Sequence, residues 1–154
     1  MALDYASSTE ALQRVEHGGE LLALIVRSTF CTPGVTFFTT DDLSQQMGYM
    51  GHPKGKVIEP HVHNHIRRDV NYTQEALFIR RGKLRVDFYA DVDEYLKSYI
   101  LEAGDVILLV SGGHGFEALE DLEMIEIKQG PYAGDRDKTR FKPVAPGKTR
   151  LHRE

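Results

Sequence analysis

Glu75-Ala-Leu-Phe-Ile-Arg-Arg-Gly82-Lys-Leu-Arg-Val-Asp-Phe-Tyr89 is the stretch that decides the fold class. In an extended chain, successive side chains point to opposite faces. Leu84, Val86 and Phe88 therefore share one face, while Lys83, Arg85 and Asp87 share the other. That two-residue period marks a half-buried strand. Before Gly82, the same period groups Glu75 with Leu77 and Ile79. Gly82, in Arg-Gly-Lys, reads as the turn of a hairpin.

Working outward, the pattern repeats in LLALIVRS, VTFFTT, QQMGYM, KVIEPHVH, KSYILEAG, DVILLVS, HGFEAL and LEMIEIKQ, with Gly, Pro, Asp or Asn at most joins. Many short strands without long helices predict an all-β sandwich or barrel. One helix is expected. Ser7-Ser8-Thr9-Glu10 has the form of a capping box, opening a short helix that runs to about Glu16 and stops at Gly18-Gly19. Residues 64–74 are polar and break the strand period, which predicts a long loop.

The chain has 154 residues, 41% of them apolar and 27% charged, which suits one globular domain. That domain is expected over residues 1–137. A basic tail, 138–154, follows, with six Lys or Arg and one acid, and reads as a solvated or partner-clasping extension. The net charge of −4 argues against nucleic acid or an anionic membrane as partner. No apolar run nears the ~20 residues of a membrane span, and the first residues lack a signal-peptide pattern. The single cysteine, Cys31, suits a reducing compartment, so a cytoplasmic location is expected.

Three histidines fall at His61, His63 and His65. If the run is a strand, His61 and His63 converge on one point. Glu75 would share its face with Leu77 and Ile79, where a carboxylate is costly unless paired or bound to a cation. His114 follows Ser111-Gly112-Gly113, whose small residues let backbone approach closely. Imidazole nitrogens with a carboxylate oxygen suit a mixed N/O site for a divalent transition metal. For Glu75, the bland alternative is an ion pair with Arg80 or Arg81; for the histidines it is a solvated surface.

The spacing Gly55, His61-Val-His63, Glu75, Gly82 resembles the first motif of the cupin superfamily, with a longer loop before the glutamate. Gly104-Asp-Val-Ile-Leu-Leu-Val-Ser-Gly112-Gly-His114 is similar to the second, though shorter by one residue and lacking its usual proline and asparagine. The wider pattern resembles small cupins of bacterial surface-polysaccharide gene clusters. The resemblance implies a double-stranded β-helix, or jelly-roll barrel. It implies one ion of Fe, Mn, Ni or Zn held by His61, His63, Glu75 and His114, and a homodimer.

The expected function is a metalloenzyme acting on a small polar metabolite or sugar, by isomerase, epimerase or oxygenase chemistry. Glu75 and His65 are the candidate general bases. Arg67, Arg68 and Tyr72, in the inserted loop, are the candidate substrate-binding groups. Related cupins without metal use His and Tyr as acid and base. A non-catalytic module that binds or senses a small ligand is the alternative.

Overall fold

The computed structural model describes residues 9–152. Its ten strands are β1 (Leu12–His17), β2 (Glu20–Val26), β3 (Gly34–Phe37), β4 (Gly48–Gly51), β5 (Glu75–Arg81), β6 (Lys83–Tyr89), β7 (Tyr95–Glu102), β8 (Val106–Leu109), β9 (Gly113–Ala118) and β10 (Glu123–Lys128). The order β1-β2-β8-β5-β10 makes a five-stranded sheet and β7-β6-β9 a three-stranded one, while β3 and β4 form a separate ribbon. Every strand pair is antiparallel. The chain is all-β, as the alternation predicts.

The two larger sheets face each other across one core. Ala23, Ile25, Leu77, Ile79, Ile107 and Leu109 come from the first, and Leu84, Val86, Phe88, Tyr99 and Leu101 from the second. The inward residues of β5 and β6 are those that the two-residue period groups together. Phe88 and Tyr99 meet edge to face, their ring centres 5.6 Å apart, a geometry that aromatic quadrupoles favour. A smaller cluster of Leu24, Leu108 and Val110 lies on the outer face of the large sheet. Phe38, Leu43 and Met47, in and beside the turn joining β3 to β4, cover it.

Two local expectations are corrected. The helix expected to run to Glu16 is instead a 3-10 turn, Thr9–Ala11, followed by strand β1; Ser7 and Ser8 lie outside the described residues. Gly18 and Gly19, both at positive φ, form a two-residue hairpin turn into the apolar strand β2. Pairing with that strand, which buries Val15 completely, outweighs the local helix signal. At Gly82 the turn exists but not the hairpin, because β5 and β6 belong to different sheets. Gly82, at φ 82°, is a corner pressed against the Asp121 carbonyl, where a Cβ has no room.

Residues 56–63, expected as a strand, hold none, and 52–74 carries no helix or strand. Pro60 offers no backbone donor. From 52 to 72 the bonds are short-range, such as His61 Nδ1 to the Glu59 carbonyl (3.0 Å) and Arg67 to Asp69 (3.5 Å); long-range bonds begin at Thr73 and Gln74.

The C-terminal stretch, though mostly exposed, runs along the fold and is bonded to it. Leu151 bridges to Ser98 of β7, and the backbone amides of Ser98 and His152 donate to the Arg150 and Ser98 carbonyls. His152 stacks on Tyr99 with ring centres 4.6 Å apart. The amide of Val144 donates to the Tyr89 hydroxyl (2.9 Å), and Phe141 packs edge-on against the Tyr89 ring. These contacts give the outer edge of β7 a partner.

Candidate functional site

Glu75 is the first residue of β5, opposite Leu109 of β8 and Lys128 of β10. It keeps the inward orientation of Leu77 and Ile79, and its carboxylate is nearly closed to solvent, the residue being 7% exposed. His114 is the second residue of β9, opposite Phe88 of β6, so it faces the same interior from the other sheet. The two meet: His114 Nε2 lies 3.3 Å from Glu75 Oε2, and Lys128 Nζ lies 3.9 Å from Oε1.

Gly112 and Gly113 make this placement possible. Gly112 sits at φ 71°, and a side chain on Gly113 would run into the Phe141 ring (2.9 Å) and Tyr89 Cβ (3.1 Å). The chain can therefore turn tightly into β9 while Phe141 closes down beside it.

The surroundings set the charge of Glu75. The close polar approach of His114 holds its carboxyl below the usual glutamate range; burial opposes this, and the charges of His114, Lys138 and Lys128 add to the lowering. The carboxylate is thus kept ionised in a place that would otherwise neutralise it.

Glu75 and His114 border a cleft of about 700 Å³. Tyr72 and Tyr89 line it, and the C-terminal stretch supplies a wall with Lys138, Arg140 and Phe141. Thr73 Oγ1 donates to Asp137 Oδ1 (2.6 Å), tying the start of β5 to that wall. Such a cleft offers a carboxylate–imidazole pair, the Lys138 ammonium, the Arg140 guanidinium and aromatic faces. It can move a proton, seat a polar ligand, or present one oxygen and one nitrogen to a metal ion.

The structure brings together only some of the residues expected at a site. Glu75 and His114 pair, and Tyr72 lines the cleft. His61, His63, His65, Arg67 and Arg68 lie exposed in the 52–74 stretch, with the rings of His61 and His63 edge-on, 5.3 Å between centres. Among the described residues, no group of three or more His, Cys, Asp or Glu stands close enough to hold a metal. The donor types fit a divalent metal, but this geometry joins two of the four. Glu75 pairs with His114 and Lys128 rather than with Arg80 or Arg81; Arg81 instead contacts Glu123 and Asp121.

Sequence reasoning missed Tyr89, Lys138 and Phe141. The signal for Phe141 was its isolation as the one large aromatic within an otherwise polar tail. Lys128 takes its place from its register opposite Glu75.

No helix among the described residues is long and apolar enough to cross a membrane. No family model, no curated protein and no solved structure matches this chain.

Proposed function

We propose that the chain is a small metal-binding cupin with a jelly-roll arrangement of its two sheets, acting on a small polar metabolite or sugar in the cleft at Glu75 and His114. The observation that carries this reading is the buried Glu75 carboxylate held against His114 Nε2. An oxygen and a nitrogen donor are thereby preset at the edge of a ligand-sized space. Glu75 and His114 would hold one ion of Fe, Mn, Ni or Zn, joined by His61 and His63. When bound, that ion would supply Lewis-acid polarisation or, for iron, oxygen chemistry. Isomerase, epimerase or oxygenase reactions belong to such a centre.

The chain's own groups have separate roles. Glu75 stays ionised beside its cations and can accept a proton. His114 orients it, and Lys138 and Tyr72 meet the polar groups of the ligand. His65, Arg67 and Arg68 take part only if their stretch comes to the cleft. The outward face of the β3–β4 ribbon, with Val35, Phe37 and Met50 exposed, supports a homodimer.

A second reading, binding of a small anionic ligand without turnover, is favoured by Lys128 and Lys138 acting on Glu75. Elemental analysis and metal titration of the purified protein, beside Glu75→Gln and His114→Ala, separate the two. About one equivalent of metal, lost in both variants while their circular dichroism is kept, supports the metal centre. Absence of metal after reconstitution, with ligand binding intact in chelator, favours the second reading.

A further inference from the structure

We infer that residues 138–140 are the specificity element of the cleft and select a small molecule with an oxyanion at one end. Lys138 and Arg140 hold its carboxylate or phosphate, while a hydroxyl or carbonyl oxygen at the other end meets the Glu75–His114 pair. This deepens the reading given above, because it takes the cleft as the ligand's place. It holds with or without turnover.

Two anchors place these residues. Upstream, the Gln74 amide donates to Gln129 Oε1 (2.6 Å) and Thr73 Oγ1 donates to Asp137 Oδ1 (2.6 Å). The two bonds tie residues 129–137 to the start of β5. Downstream, Phe141 packs against Tyr89 beside Gly113, and the Val144 amide donates to the Tyr89 hydroxyl. Thr73 stands two residues before Glu75, and Gly113 one before His114. Residues 138–140 therefore pass between anchors that flank the two site residues themselves. Lys138 and Arg140 both border the cleft.

Their charges are open to a ligand. The near partners of Glu75 are His114 Nε2 and Lys128 Nζ, whereas Lys138 acts on it through its charge. Arg140 meets Asp135 at 3.5 Å, with both side chains largely open to solvent, a pairing that holds it weakly. Of the other carboxylates bordering the cleft, Asp137 accepts from Thr73 and Asp91 from the Val92 amide. Glu75 stays ionised and repels an oxyanion from its own side. Charge thus orients the ligand: its oxyanion goes to the ammonium and the guanidinium fork, and its neutral oxygen to Glu75 and His114. A cleft of about 700 Å³ takes a molecule of monosaccharide size.

Isothermal titration calorimetry of the full chain in chelator tests it, with glucose, glucuronate and glucose 6-phosphate as probes. At least one charged sugar should bind at least about tenfold more tightly than glucose, and the tighter of the two identifies the oxyanion. Lys138→Ala with Arg140→Ala should cut that preference at least about tenfold. Lys142→Ala with Lys148→Ala removes the same charge from exposed residues that do not line the cleft, and should leave the preference unchanged. Equal binding of all three sugars, no binding of either charged sugar, or a preference that survives loss of Lys138 and Arg140 would overturn the inference. An equal loss in the Lys142 and Lys148 variant would also overturn it, because the tail would then act by bulk charge. Failure of the metal centre shows separately, in the metal content and not in these titrations.

Discussion

His114 Nε2 stands 3.3 Å from Glu75 Oε2 although the two residues belong to strands of different sheets. The contact lowers the Glu75 pKa, so the folded state binds the proton less readily than the unfolded chain does. The sign follows. Stability contributed by the carboxylate is complete above its ordinary value of 4.5 and is lost as pH falls through the lowered folded value. Urea unfolding of metal-free protein across the acid range should therefore show a shallower loss for Glu75→Gln than for wild type. Equal slopes would mean that the carboxylate gains nothing from His114.

A second buried acid, Asp87, sits on the opposite face of β6. Arg85 donates to it through Nε (2.8 Å) and Nη2 (3.0 Å), Ser98 Oγ donates to it as well, and the residue is 3% exposed. Asp87→Ala would leave the largely buried Arg85 guanidinium with only the exposed Glu117 carboxylate (2.7 Å) as ion-pair partner, at a cost of roughly 3 kcal/mol in denaturant unfolding. Arg85→Met combined with Asp87→Leu should be much closer to wild type, because the one charge left without its partner, Glu117, is exposed. A double variant as unstable as the single would show that packing, not charge, is at stake.

The Tyr95 hydroxyl accepts from the Arg150 amide (2.7 Å) and contacts Ser98 Oγ (2.8 Å). Tyr95→Phe removes these bonds and should lower stability by about 1 kcal/mol. Limited proteolysis should then cut earlier within residues 145–152 than anywhere in β6 or β7. Unchanged cleavage order would place the hold on this stretch elsewhere, at Tyr99 and His152.

Phe37 and Val35 project from the β3–β4 ribbon on the side of Met50. If the ribbon joins two copies, Phe37→Ser together with Met50→Ser should convert a dimer into a monomer in sedimentation velocity while leaving the core, and so the circular dichroism, intact. A wild-type monomer would remove the dimer reading outright.

Strands announced by alternation were legible in the sequence because burial alone imposes a period of two, as Leu84, Val86 and Phe88 show. Partners were less legible. Arg-Gly-Lys at residues 81–83 announces a turn, but whether the chain folds back or changes sheet depends on what lies beneath Gly82, here the Asp121 carbonyl. The Ser7–Glu10 signal was local, and β1 obeys a contact with β2 that no window of that length contains. Glu75 and His114 could be paired by motif spacing, 39 positions apart in the sequence. Lys138 and Phe141 could not, since nothing in a basic tail says which edge it follows. His61 and His63 have their spacing but no strand among the described elements, where Pro60 removes a backbone donor from the run.

Glu75 lies directly across from Leu109, and His114 directly across from Phe88, so each end of the polar contact rests on a core residue of its own sheet. The width of the sandwich thus acts as a spacer for the site. A substitution that thins or thickens the packing around Phe88 would shift the carboxylate–imidazole distance without touching either group. Core volume in this protein is therefore also a dial on proton affinity at the cleft.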